Sequence, residues 1–127
     1  MNDTNKKKIL VVDDNTDLNS VLVDKLNAKG FQAIGAEDGE RGLAKALSEH
    51  PDLILLDIMM PKMNGWEMLE KLRTDAWGKD VRVIMLTVVD DENNISKGVD
   101  DKIYGYLLKT DLKLSEVVEQ VESALKN

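Results

Sequence analysis

The sequence predicts an α/β fold, a (βα)5 doubly wound parallel sheet, and three observations predict it. Short apolar runs alternate with segments of helical period, the pattern of a parallel sheet with crossover helices. The runs Ile9–Val12 and Leu53–Leu56 carry almost no polar interruption, as expected of strands buried on both faces. No linker, repeat or low-complexity tract interrupts the 127 residues. That length is about the modal size of one domain, so residues 1–127 are expected to form a single domain.

Ile9–Val12 is the first strand. Leu18, Val21, Leu22 and Leu26 then recur on one helical face, and Gly30 supplies the stop. Gln32–Ala36 is a weaker strand, placed at an edge. Leu43, Ala46 and Leu47 mark the second helix, which ends before His50-Pro51 because a residue preceding proline avoids the helical region. Leu53–Leu56 is the third strand, and Trp66, Leu69, Leu72 and Arg73 mark the third helix. Val81–Leu86 follows as a strand. The fourth helix falls in Glu92–Val99, with Ile95 and Val99 as its large apolar residues, and Tyr104–Leu108 is the fifth strand. Leu114, Val117, Val118, Val121 and Leu125 mark the fifth helix. Right-handed crossovers place helices on both faces.

Apolar residues make up 43% and charged residues 32% of the chain, which suits a folded domain and not a disordered one. No apolar run approaches the roughly 20 residues that span a bilayer. Lys6–Lys8 precede only four apolar residues, too few for a signal peptide, so a cytoplasmic protein is expected. The absence of cysteine excludes disulfides and thiolate metal sites. A formal net charge of −7 disfavours direct binding to nucleic acid or anionic membrane, whose affinity comes from clustered Lys and Arg. Lys6–Lys8 reads as a solvated arm.

In open doubly wound sheets, chemistry gathers at the carboxyl ends of the strands. Asp13 and Asp14 end the first strand, Asp57 the third, Thr87 the fourth and Lys109 the fifth. Three carboxylates held together repel unless compensated, and such a cluster calls for a hard divalent cation; magnesium fits because it takes a few carboxylates plus water and phosphate oxygens. An Asp-Asp pair alone could equally serve as a helix cap. Its convergence with Asp57, Thr87 and Lys109 is what argues for a site.

These residues lie in the segments Ile9-Leu-Val-Val-Asp-Asp14, Asp52-Leu-Ile-Leu-Leu-Asp57-Ile-Met-Met-Pro61-Lys-Met-Asn-Gly65, Val83-Ile-Met-Leu-Thr87 and Tyr106-Leu-Leu-Lys109. The set resembles the receiver domain of bacterial two-component response regulators over essentially the whole chain. The resemblance implies a flavodoxin-like fold with strand order 2-1-3-4-5. It implies that Asp57 receives a phosphoryl group from a phosphohistidine of a sensor histidine kinase or phosphotransfer protein. Asp14 and Asp57 would bind magnesium directly, Asp13 through water, and the Met59 backbone carbonyl would complete the protein ligands. Lys109 would neutralise the incoming charge, and Thr87 would bond a phosphoryl oxygen once attached. Tyr106 would turn inward and alter the surface of the fourth helix, fifth strand and fifth helix, which controls a downstream effector protein or a missing output domain. The domain would be a monomer or a phosphorylation-dependent dimer, and no enzyme beyond its own phosphotransfer and slow autodephosphorylation.

The chain departs from the family pattern at three places. Lys109-Thr110 stands where the family has Lys-Pro, and a trans bond is expected because a cis bond before a non-proline residue costs about 2.5–4 kcal/mol. Val88 replaces the usual small residue and is expected to crowd phosphoryl access or slow the hydrolysing water. The run Gly98–Asp101 is separated from Tyr106 by Lys102-Ile-Tyr-Gly105.

Two other functions compete. A phosphatase of the haloacid-dehalogenase type would need Asp-x-Asp after the first strand, and a flavin or dinucleotide protein would need a Gly/Ser/Thr-rich phosphate loop there; Asp14-Asn-Thr-Asp-Leu is neither. A pseudo-receiver that is never phosphorylated would not be expected to keep all five site residues. In the turn Met60–Gly65, proline fixes one backbone angle and Gly65 is expected to take a conformation other residues resist. Trp66 and Trp77 read as packing residues and His50 as an exposed cap.

Overall fold

The computed structural model describes residues 6–88 and 102–126. Five strands, β1 (Lys8–Val12), β2 (Gln32–Ala36), β3 (Leu53–Asp57), β4 (Arg82–Thr87) and β5 (Ile103–Leu108), form one sheet in the order β2-β1-β3-β4-β5. Every pairing is parallel. Helices α1 (Thr16–Ala28), α2 (Gly39–Glu49), α3 (Gly65–Arg73) and a C-terminal helix (Leu114–Lys126) cover it. The fourth helix expected in Glu92–Val99 and the Gly98–Asp101 run lie outside the described residues.

The unbroken apolar runs are explained by burial on both sides. Successive side chains of a strand point to opposite faces, so Ile9, Val11, Leu53, Leu55, Ile84 and Leu86 enter a cluster with Leu22 and Leu26 of α1 and Val117, Val118 and Val121 of the C-terminal helix. Their neighbours Leu10, Val12, Ile54, Leu56, Val83 and Met85 enter a second cluster with Ala46 of α2 and Met68, Leu69 and Leu72 of α3. The sheet therefore separates two cores.

The helix starts follow local chemistry. Asn15, Asp38 and Asn64 each accept a backbone N–H of the next turn, and Asn64 with Glu67 forms a reciprocal capping box. Helix α1 stops as expected, with Gly30 at φ 98° just beyond Lys29. Two faces differ from expectation. Val21 is 45% and Leu47 38% exposed, because the buried stripes run through Asn19, Leu22 and Leu26 in α1 and Gly39, Gly42 and Ala46 in α2. His50 caps α2 in the left-handed conformation and, while exposed, stacks on Trp77 with ring centroids 4.4 Å apart. Trp66 and Trp77 both pack against the second cluster.

Strand β5 is irregular. Ile103 pairs with Val83 but Gly105 pairs with Ile84, so Tyr104 is an extra residue in the ladder, a bulge. The bulge sends Tyr104 to the first cluster and Tyr106 to the second.

Candidate functional site

The carboxyl ends of β1, β3, β4 and β5 meet at one edge of the sheet. Asp13 continues the β1 ladder, its N–H donating to the Ala36 carbonyl at 3.1 Å. Its Oδ1 accepts the Asn15 N–H at 2.9 Å, which folds the chain back into α1. Asp57 is the last residue of β3, with Oδ1 accepting the Met59 N–H at 3.2 Å. Thr87 ends β4, and its carbonyl accepts the Lys109 N–H at 2.6 Å. That bond carries β5 past its last paired residue and brings the Lys109 Nζ to 3.0 Å from Asp13 Oδ2 and 3.3 Å from Asp57 Oδ2. The Lys109-Thr110 bond is trans, and Asp111 adopts φ 65° in the following turn.

Asp13 and Asp57 are fully buried and Thr87 is 1% exposed, while Asp14 is exposed. Burial and the Asp13 charge push the Asp57 carboxyl up to about 7, against the opposing pull of Lys109 and the Met59 N–H. Burial also works against the Lys109 ammonium, but its hydrogen bond to Asp13 and the charges of Asp57 and Asp13 outweigh that cost and hold it above the usual lysine range. The site thus keeps a cation beside a carboxyl poised near neutrality.

Carboxylate oxygens of Asp13, Asp14 and Asp57 lie within 4.8 Å of one another. Asp13 Oδ2 is buried and makes no hydrogen bond, with the Lys109 ammonium as its ion-pair neighbour. Of these three clustered carboxylates, Asp13 and Asp57 pair with the Lys109 ammonium. Such all-oxygen, negatively charged donors fit a hard divalent cation of the magnesium type.

Tyr106 is half-buried and pairs with Met85, two residues before the Thr87–Leu108 pair. It shares the second cluster's face with Met85. Met59 is 55% and Val88 38% exposed at the ends of β3 and β4.

The loop after Asp57 corrects one expectation. Lys62, not Gly65, takes the left-handed conformation, at φ 69°. Gly65 is needed for room: a Cβ there would stand 2.4 Å from the Asp57 carbonyl oxygen and 2.9 Å from Ile58 Cα. Backbone cannot yield as a flexible side chain can, and the Gly65 N–H also donates to the Ile58 carbonyl at 2.8 Å. Gly65→Ala is therefore expected to destabilise the domain by about 2–3 kcal/mol, checked by denaturant unfolding; a loss below about 0.5 kcal/mol would show that the loop has slack.

Sequence reasoning missed Asn15 and Asn19. Both carried a signal: Asn15 stands just before a helical run, where caps belong, and Asn19 occupies a buried stripe position three residues before Leu22.

The receiver-domain family model of response regulators matches residues 9–122. The fold and the acidic strand-end site define a receiver domain, and this chain belongs to the response regulator receiver family. It is 34% identical to "Probable transcriptional regulator ycf27" of Porphyridium aerugineum, over 96% of this chain and 52% of that protein. It is 35% identical to the DNA-binding response regulator MtrA of Mycobacterium bovis, over 98% of this chain and 53% of that one. The chain therefore spans about half the length of these curated relatives. Among solved structures, a CheY-like receiver domain protein of Methanospirillum hungatei superposes with a TM-score of 0.86 at 28% identity, over 95% of this chain and 94% of that one. The chemotaxis response regulator CheY4 of Vibrio cholerae gives 0.85 at 26% identity, over 94% and 98% respectively.

Proposed function

We propose that this domain is a phosphoacceptor in two-component signalling, with Asp57 as the accepting residue. The observation that carries the reading is a buried strand-end carboxylate, Asp57, 3.3 Å from the Lys109 ammonium and clustered with Asp13 and Asp14. An Asp57 carboxylate oxygen attacks phosphorus of a phosphohistidine on a sensor histidine kinase or phosphotransfer protein. The P–O bond to Asp57 forms as the P–N bond breaks, and the departing imidazole takes up a proton. Phosphoryl transfer asks the protein for positioning and for charge at the equatorial oxygens. Lys109 supplies a fixed ammonium on that side, and Thr87, buried at the neighbouring strand end, supplies a hydroxyl for a phosphoryl oxygen. Asp13, Asp14 and Asp57 with the Met59 carbonyl would hold magnesium, which when bound adds positive charge beside the transferred group.

Drawing Thr87 toward the phosphoryl group redistributes two states of Tyr106, by an amount set by their difference in affinity for that group. The response reaches a partner through β5 and the C-terminal helix with the segment before them. That partner is an effector protein or an output module; the names of the curated relatives as transcriptional or DNA-binding regulators favour the latter, with DNA contact made by that module. The domain acts on no separate substrate. Among the described residues no helix is long and apolar enough to cross a membrane.

Acetyl phosphate with magnesium is expected to add one phosphoryl group, read by intact mass, and Asp57→Ala to remove it. Thr87→Ala should keep the label but weaken the beryllofluoride-induced NMR shift at Tyr106. Labelling of Asp57→Ala at the wild-type level would overturn the assignment.

A further inference from the structure

We infer that Asn19 is a positioning residue for the phosphoacceptor site, fixing the Asp13 backbone so that its carboxylate faces Lys109 and the cation; this rests on the reading above. Asn19 lies on α1, away from the reacting atoms, and is 6% exposed. Its amide nitrogen donates to three carbonyl oxygens where β1 and β2 end: Ala36 at 2.8 Å, Asp13 at 3.1 Å and Val11 at 3.3 Å. The last β1–β2 register pair is Val12 with Ala36. Beyond it the Asp13 N–H still reaches the Ala36 carbonyl, but the Asp13 carbonyl has left the ladder. Asn19 provides the donor there, so the Asp13 backbone is held from both sides, through its N–H by β2 and through its carbonyl by α1.

The same turn holds the side chain. Asp13 Oδ1 accepts the Asn15 N–H, and the Asn15 carbonyl accepts the Asn19 N–H at 2.9 Å. The Asn19 amide thus adds a hold on the Asp13 carbonyl to a turn whose backbone already anchors the Asp13 side chain. Gly35 makes room for it: a Cβ at Gly35 would stand 2.2 Å from Asn19 Oδ1. Loss of the amide leaves the Asp13 carbonyl short of its donor, which has a real cost. A partner directly behind a metal ligand typically changes affinity by 10–100-fold when removed, and Asn19, which acts on Asp13 through its backbone carbonyl, belongs at the low end of that range.

The test is magnesium binding, read both as the rise in melting temperature with added magnesium and as the magnesium dependence of acetyl phosphate labelling at Asp57, the latter at a temperature where circular dichroism shows each variant folded. Asn19→Ala is expected to raise the half-saturating magnesium concentration about tenfold, while the rate at saturating magnesium stays near that of the wild type. Gly35→Ala should shift it in the same direction by displacing the amide, and should add nothing in the Asn19→Ala background, where the displaced group is gone. A residue that only supported the fold would lower the melting temperature and leave the half-saturation point in place. Half-saturation within twofold of wild type in Asn19→Ala, or additive effects of the two substitutions, overturns the inference. If Asn19→Ala does not fold, Gly35→Ala alone, which displaces the amide without removing it, reads the shift. An unlabelled wild type instead overturns the phosphoacceptor reading, and this inference with it.

Discussion

Lys109→Met is expected to slow phosphorylation of Asp57 by roughly 100-fold, the scale of removing one preorganised electrostatic donor from a reacting centre. The substitution keeps most of the stem and removes the charge that stands 3.0 Å from Asp13 and 3.3 Å from Asp57. Both carboxylates are fully buried, so neither can turn to water for compensation. Taking one partner from a buried ion pair costs about 3–5 kcal/mol, and metal-free Lys109→Met should be less stable than wild type at neutral pH by an amount of that order. The Asp57 carboxyl also loses an interaction that holds its proton affinity down, so a smaller fraction is the nucleophilic carboxylate. Lys109→Arg, which keeps the charge, should recover part of the rate. A labelling rate for Lys109→Met within twofold of wild type would remove Lys109 from the mechanism.

The metal-free domain should lose stability as pH rises. The Asp57 carboxyl goes from an ordinary 3.8 to about 7 on folding, so between those values the folded chain holds a proton that the unfolded chain has released. Raising pH therefore penalises the folded state through that window and has no further effect through this group above about 7. Denaturant unfolding in chelator across the window should show the decline in wild type, and Asp57→Asn should lack it because the charge cannot form. Magnesium should restore stability at the alkaline end by mass action, since it binds the folded carboxylate cluster. Parallel profiles for wild type and Asp57→Asn would mean that Asp57 does not carry the cost of burial.

Much of this was legible in the sequence because the chemistry sits at strand ends. Once Ile9–Val12, Leu53–Leu56 and Val81–Leu86 are read as parallel strands, Asp13, Asp57 and Thr87 must share an edge, and the structure places them there. What was not legible is three-dimensional by nature. A helical stripe read from apolar residues alone rotates toward Val21 and away from Asn19, because a polar side chain on the buried face reads as an interruption. The turn after Asp57 shows the same limit: glycine was expected to bend the backbone, yet Lys62 does so, while Gly65 is there because no side chain fits against the Asp57 carbonyl. The bulge at Tyr104 had one local sign, Gly105 inside the strand, but its position shows only in the pairing with β4.

The division of the interior into two layers has a consequence for how the chain can change over time. Leu22, Leu26 and the C-terminal helix share one layer, α2 and α3 the other, with the strands as the wall between them. Substitutions on opposite sides of that wall have few neighbours in common, and distant changes combine nearly additively. The α1 and C-terminal helix side can thus be remodelled to suit a new partner while the packing beneath Tyr106 is left undisturbed. A compensating change, when one is needed, should arise within the same layer as the lesion it repairs.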